Sequence, residues 1–444
     1  MLYRYLIIAV IVIGLAGPVF SETILTVEKC RELALDYNRQ LLQAKKEVDR
    51  AQGEIISARS GALPILSLDG RYTRNVDKGD IFLPGEFFDQ PGFVKVPAAQ
   101  NNDFNLSLSL TQPLYIGGKV GTALKIANIY SNLSKEKVKE VEAAIVFGAE
   151  SVFFEAVLTQ SQLDVLQKSY EQLSHNLDVA EKNYDQGMIS EYELLRAKVE
   201  KLNVEPQLLA AQSNVKISAK RLKTYLGLDI NEDVQLVADL ADTAAIALPP
   251  LDSLMVLAMK NRPELTEAEL EKRGYDKAVR IAQGDWLYPN LYANASYSLT
   301  ASSDDFRIGN HNLSKSLTVS LILNVPLFDG GRTIGEVRKA RVDFYQAMLR
   351  EQQLKDDVRL EVEEAHDQFM QSRKALTAQS ETIAQAEEGM RIANLRYESG
   401  VGTQLEVLSA QTALTQARSQ LAQTIFQYRL ARAALKKATG LEIN

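Results

Sequence analysis

The sequence predicts a mixed α and β chain made of four short strands and two pairs of very long helices. Three observations predict it. Residues 105–228 recur at residues 318–441, at a constant offset of 213 positions. Each copy opens with a strand in which apolar residues alternate, and each strand runs into a long proline-free stretch whose apolar residues step by three and four. In the first copy Pro113, Gly117, Gly118, Lys119, Tyr184, Gly187, Glu193, Ala197 and Gly227 appear in order; Pro326, Gly330, Gly331, Arg332, Tyr397, Gly400, Glu406, Ala410 and Gly440 answer them. An offset that never slips over so long a stretch implies two tandem copies of one structural unit.

At the start, the apolar run from Leu6 to Leu15 follows Arg4 and precedes Val19-Phe20-Ser21. This pattern predicts a cleavable secretory signal over residues 1–21, with the mature chain beginning near Glu22. No later stretch has the roughly eighteen apolar residues of a transmembrane helix, so a membrane-spanning reading requires strands. The single cysteine, Cys30, allows no intramolecular disulfide and reads as a buried helix residue, not a lipid anchor. A formal charge of −7 without a basic block excludes nucleic acid as a partner. The repeat predicts a first unit over residues 22–235 (helix, β-hairpin, long helical hairpin), a linker over 236–250 and a second unit over 251–444.

The strands come next. Phe104, Leu106, Leu108 and Leu110 fall on one face of a period-2 segment, and Asn105, Ser107, Ser109 and Thr111 on the other. Its counterpart places Leu317, Val319, Leu321 and Leu323 against Thr318, Ser320 and Asn324, broken only by Ile322. Weaker strands over residues 66–73 and 291–300 complete one hairpin per half, with Tyr72 and Tyr297 expected near strand ends, where an interfacial aromatic girdle sits. A lone alternating strand equally suits a soluble sheet with one wet face. Here each strand has about the ten residues that a tilted strand needs to cross hydrocarbon, and the polar faces are small and uncharged apart from Asp69 and Arg71. The apolar faces are therefore read as lipid-facing and the polar faces as lumen-facing. Four strands cannot close a membrane barrel, so closure requires several chains. Residues 77–103, with Phe82, Phe87, Phe88 and several Pro and Gly, are expected to form an irregular external loop.

The helices follow. Leu163, Leu166, Tyr170, Leu173, Leu177, Ala180 and Tyr184 step alternately by three and four, as do Leu376, Gln379, Ile383, Ala386, Met390, Ala393 and Tyr397. Val407, Ala410, Leu414, Ala417, Leu421, Thr424, Tyr428, Ala431 and Leu435 continue the pattern on the returning helix. These are heptad seams of antiparallel helical hairpins. At the hairpin turns Gly187 and Gly400 end one helix, while Ser190 and Thr403 cap the next. Catalytic and cofactor chemistry is not expected. Gly117-Gly118-Lys119 lacks phosphate-loop spacing, and Glu363-Glu364-Ala365-His366 has no second copy at His175. His175, His311 and His366 assemble no metal cluster or triad.

The signal segment, the duplicated strand and helix units, Pro326-Leu327-Phe328-Asp329-Gly330-Gly331-Arg332, and the Tyr-x-x-Gly tips followed by Glu193-Leu194-Leu195-Arg196-Ala197 and Glu406-Val407-Leu408-Ser409-Ala410 together resemble the TolC-type outer-membrane efflux proteins. The resemblance implies a homotrimer with a twelve-stranded β-barrel in outer-membrane lipid, four strands per chain, continued by a periplasmic coiled-coil barrel of helices. It implies a periplasmic adaptor of the membrane fusion type and an inner-membrane pump of RND or ABC type as partners. It also implies a gate at the helical tips, with Tyr397 and Glu193 as an inter-hairpin hydrogen bond and Glu406 in an acidic ring. Gly187, Ser190, Gly400 and Thr403 sit where adaptor hairpins of the family dock. The chain departs from the family at Gly402, where such a tip has arginine, and at Ser409, where it has a second acidic residue. A coiled-coil scaffold that forms no channel is the alternative; it explains the heptads but not the four strands.

Overall fold

A computed structural model describes residues 23–237, 248–306 and 313–441. The expected signal over 1–21, His311 and most of the expected linker lie outside the described residues. In order the elements are β1 (Thr23–Leu25), α1 (Val27–Tyr37), α2 (Arg39–Ser60), β2 (Ile65–Arg74), β3 (Asp80–Pro84), β4 (Phe93–Pro97), β5 (Asn102–Ile116), α3 (Lys119–Asp185), α4 (Glu191–Leu226), β6 (Val234–Leu236), α5 (Leu251–Asn261), α6 (Pro263–Leu287), β7 (Asn290–Ser303), β8 (Ser314–Asn324), α7 (Arg332–Glu398) and α8 (Gln404–Thr439). Helices α3 and α7 both have 67 residues, and α4 and α8 both have 36. Their bounds differ by the same 213 positions as the sequence repeat.

The chain divides into two compact units. One holds Glu47–Ser134 and Glu267–Glu351, which include the main sheet. Its strand order is β2-β5-β7-β8, and every pair is antiparallel. Residues 77–103, expected to be irregular, instead contain the β3-β4 hairpin closed by a 3-10 turn over Gly85–Phe88. Alternation explains the pairing. Ile81, Leu83, Val94 and Val96 supply β-branched and aliphatic residues on both arms, so the Pro-rich segment still registers as a ladder. Tyr297, expected near a strand end, lies mid-strand opposite Leu108 and Leu317, because β7 runs on to Ser303.

The other unit holds the remaining described residues, and its helices carry two apolar cores of matching design. In the first, Cys30, Ala34 and Leu41 meet Ile145, Ala149, Phe153, Leu222 and Leu226. In the second, Leu254, Ala258 and Leu265 meet Val358, Val362, Phe369, Leu435 and Ala438. Ile145, Ala149 and Leu222 correspond to Val358, Val362 and Leu435 at the repeat offset. Between the two short helices of each half stands one buried polar side chain. Asn38 Nδ2 donates to the carbonyl of Tyr225 at 3.1 Å, and Arg262 Nη1 donates to the carbonyl of Ala438 at 3.2 Å. Those carbonyls are also one repeat apart. Arg262 is further held by Glu264 at 3.0 Å and Glu361 at 2.7 Å. Burial pulls the pKa of its guanidinium down, but the bonds and charges of the two carboxylates outweigh this and leave it raised.

Candidate functional site

Two features concentrate the predicted residues: the faces of the main sheet and the tips of the helical hairpins. In the sheet, directly opposed residues share a face. The ladder sets Leu66, Leu68 and Tyr72 against Leu110, Leu108 and Phe104, then Ala295, Tyr297, Leu299 and Ala301 beyond them. On the last strand Leu317, Val319, Leu321 and Leu323 continue the same face. All eight residues predicted to face lipid thus share one face across the sheet, with Lys315 on the same face at the start of β8, opposite Leu299. On β8 they are largely exposed in the single chain, with Val319 at 74% exposure. The opposite face carries Asn105, Ser107, Ser109 and Thr111 beside Thr300, Ser298, Ser296 and Asn294, with Thr318, Ser320 and Asn324 on the outer strand. The Ser67 and Ser109 hydroxyls meet there at 3.0 Å. Ile322 falls on this polar face, opposite Tyr292, so the break in alternation is a local apolar pair.

One end of the apolar face carries an aromatic cluster. The Tyr72 and Phe104 ring centroids are 5.1 Å apart, and Phe306 stands edge-on to Tyr72 at 5.4 Å. The Tyr72 hydroxyl donates to Asn102 Oδ1 at 2.9 Å, and the buried Asn102 Nδ2 donates to the carbonyl of Ser303 at 3.1 Å. An apolar ring body with a hydrogen-bonded polar tip suits the boundary between hydrocarbon and water. The outer edges, β2 and β8, each pair on one side only. An apolar surface with open edges is incomplete as a soluble sheet.

The hairpin tips are built alike. Gly187 and Gly400 adopt φ of 72° and 75°, the left-handed conformation that glycine takes at a helix C-terminus without a Cβ penalty. Ser190 caps α4 in a full capping box: Glu193 Oε2 accepts from the Ser190 backbone N–H at 2.9 Å and from its hydroxyl at 3.0 Å. Thr403 caps α8 through the Glu406 backbone N–H at 3.3 Å. Glu406 does not close a box. Its Oε2 accepts instead from Arg396 Nε at 3.1 Å. Gly402 is tightly enclosed. A Cβ there would stand 2.9 Å from the Arg396 carbonyl carbon and the Tyr397 nitrogen, and the Gly402 N–H donates to the Arg396 carbonyl at 2.8 Å. The tight winding leaves no room for a Cβ at 402.

Tyr397 packs with Ala386 and Ala410 against Met390, Ala393, Val407 and Leu414 inside its own hairpin. Among the described residues Glu193 and Tyr397 share no hydrogen bond, so one chain does not bring the expected pair together. The predicted seams are buried or half-buried at every position from Leu376 to Tyr397 and from Val407 to Leu435. A second seam escaped the sequence reading. Tyr192, Leu195, Val199, Leu202 and Leu209 step along α4 with coiled-coil spacing, and all are exposed, Tyr192 at 72%. Their 3-4 rhythm was present in the sequence, interrupted by Pro206. No helix among the described residues is long and apolar enough to cross a membrane, which says nothing about strands.

These features define a scaffold of two capped helical hairpins and a sheet largely apolar on one face. The model of the outer membrane efflux protein family matches residues 30–228 and 254–441, and the chain belongs to that family. The family is not one of enzymes. Outer membrane protein TolC of Escherichia coli is 22% identical over 450 residues, covering 97% of this chain and 85% of that protein. The cobalt-zinc-cadmium resistance protein CzcC of Cupriavidus metallidurans is 24% identical over 408 residues, covering 91% of this chain and 85% of that one. Among solved structures, the outer membrane protein VceC of Vibrio cholerae has the same fold, with a TM-score of 0.72 at 19% identity over 94% of this chain and 97% of that one.

Proposed function

We propose that the protein is the outer-membrane exit duct of a tripartite efflux or type I secretion system in a Gram-negative-type bacterium, with most of its mass in the periplasm. The observation that carries this reading is the registered sheet, apolar across the middle of one face, with polar residues such as Lys315 and Arg74 at its strand ends, and open at both edges. Three chains supply twelve strands and close a barrel with a lumen; two would supply eight, about the number whose interior side chains fill. The two tandem repeats continue as a helical barrel, whose packing between chains uses the exposed seam on α4. Substrates delivered by an inner-membrane pump of RND or ABC type, through a periplasmic adaptor, pass passively. Conduction needs no catalytic group.

At the tips, Glu193 and Tyr397 of neighbouring hairpins form the gate contact, and Glu406 contributes to a carboxylate ring around the axis. Gly187, Ser190, Gly400 and Thr403 present the docking surface to the adaptor. The Arg396 pairing offsets Glu406 within its own chain, so the ring repels anions less than its carboxylate count implies. Electron microscopy of the detergent-extracted particle, with its mass measured on the same sample, tests the duct. A threefold hollow cylinder supports it. A monomer that leaves membranes in carbonate without detergent removes it and leaves the scaffold.

A further inference from the structure

Helices α3 and α8 lie antiparallel along one joint, and three contacts fix its register. The Lys437 ammonium stands 5.8 Å from the Phe147 ring, the Arg429 guanidinium stands 5.9 Å from the Phe154 ring, and the Thr415 hydroxyl donates to the Ser169 hydroxyl at 3.2 Å. Steps of seven and fifteen residues along α3 are answered by steps of eight and fourteen back along α8, so the register holds from one contact to the next. Helix α4 meets α3 through the Thr159 and Ser218 hydroxyls at 2.7 Å, and α7 meets α8 through Gln379 Nε2, which donates to the Ala417 carbonyl at 3.2 Å. Each helical hairpin thus gives one helix to the internal joint and keeps the other, α4 or α7, on an open flank. Exposed apolar residues line both flanks: Tyr192, Leu195, Val199 and Leu202 on α4, Ile392 and Leu395 on α7.

The repeat supplies a counterpart of that joint. Exchanging the two copies at the offset of 213 positions carries α3 onto α7 and α8 onto α4, and the three contacts onto Leu360 with Thr224, Asp367 with Lys216, and Thr382 with Leu202. In one chain α3 and α8 stand between α7 and α4, so these pairs form only between chains. Where the internal joint sets Arg429 on a ring, the second joint sets opposite charges: the Asp367 side chain is 76% exposed beside the His366 ring, and Lys216 is exposed. Ten residues nearer the tips the same register brings Ile392, 45% exposed, against Tyr192. It also sets Leu195 on Gly389, where a side chain meets open space. We propose that α7 of one chain packs antiparallel against α4 of the next in this register, with Asp367 paired to Lys216 of the neighbouring chain and Ile392 against its Tyr192. This joint rests on the assembly of chains into the duct, and it specifies the helix that covers the α4 seam and the residues that meet there.

The test is cross-linking in the full-length, detergent-extracted protein, after light scattering has given the mass of the parent and of each variant. In a Cys30→Ser background, Tyr192→Cys with Ile392→Cys should be joined between chains by a bismaleimide spanning about 8 Å, near the spacing of packed helices. Tyr192→Cys with Ala378→Cys should not be joined, because the helix rise between 378 and 392 puts that pair about 21 Å out of register. Independently of the tips, Asp367→Lys should raise the chain concentration at half-dissociation about tenfold, and adding Lys216→Asp should restore the parent's value. A parent of single-chain mass removes the assembly and this joint with it. An assembled particle in which the Ile392 pair does not link, the Ala378 pair does, Tyr192→Cys links alone, or the charge swap restores nothing overturns the joint and leaves the duct standing.

Discussion

At Cys30 the sequence offered a lone thiol, and packing determines its chemistry. It is fully buried among Ala34, Ile145 and Phe153, and burial, aided by the charge of Glu28, pushes its pKa up to about 12. The thiolate is the reactive form, and a raised acid pKa keeps the neutral thiol dominant until pH approaches that value. The folded protein is expected to show no fast reaction with an aromatic disulfide reagent at mildly alkaline pH, and one thiol per chain after denaturation; rapid labelling of the native protein would contradict the packing. At the second tip the constraint is backbone. Gly400→Ala forces an L side chain into the left-handed region and should cost about 1 kcal/mol in that hairpin. Gly402→Arg should disturb the tip more, because its Cβ meets the Arg396 and Tyr397 backbone. Local hydrogen exchange at the Val401 and Gly402 amides, both bonded to the Arg396 carbonyl, would report either change.

The helical elements show what a sequence reveals and what it hides. The heptad seams, the strand alternation and the tip glycines were legible because each depends on spacing within one element. Three things were not. The β3-β4 hairpin depends on cross-strand register that its prolines obscured. The engagement of Glu193 in a capping box and of Glu406 by Arg396 depends on which of two nearby partners wins locally. The roles of Asn38 and Arg262 are long-range, each reaching across more than 170 residues to a carbonyl at the end of the returning helix. These last two polar anchors differ in strength, and the difference is measurable. Arg262→Leu removes a charged donor from Ala438, Glu264 and Glu361 and should destabilise its half by about 2 kcal/mol, whereas Asn38→Ala loses one neutral bond and should cost about 1 kcal/mol. Denaturant melts of the two variants would rank them, and equal losses would mean that the carboxylates around Arg262 contribute nothing. On α4 the exposed stripe makes the opposite prediction. Val199→Glu with Leu202→Glu should leave the helix content of the chain intact but prevent assembly, read as a fall in mass by light scattering in detergent; an unchanged oligomer would free that face of any packing role.

For the whole molecule, strand direction constrains how copies join. Because β2-β5, β5-β7 and β7-β8 are all antiparallel, the two edge strands β2 and β8 run in opposite directions. Copies placed edge to edge around a ring therefore meet β8 against β2 in antiparallel fashion, with no parallel joint, and the apolar faces continue from one chain to the next. An odd number of strands per chain would have forced parallel seams, and the even number makes any cyclic closure regular. Closure by three copies is then tested by reach. Within one chain β2 and β8 are three strand spacings apart, about 14 Å, whereas across a joint they are neighbours at about 5 Å. Leu68→Cys on β2 with Val319→Cys on β8, in a Cys30→Ser background, places two thiols mid-strand on the same apolar face. A bismaleimide spanning about 8 Å, well short of the three-spacing separation, should link chains but not ends of one chain. The expected product is a denaturing-gel ladder that stops at three chains, with each single-cysteine variant remaining monomeric. A ladder ending at two chains would give eight strands and too little lumen for a duct. No ladder at all would mean that the open edges never meet and that the apolar face serves some purpose other than a barrel wall.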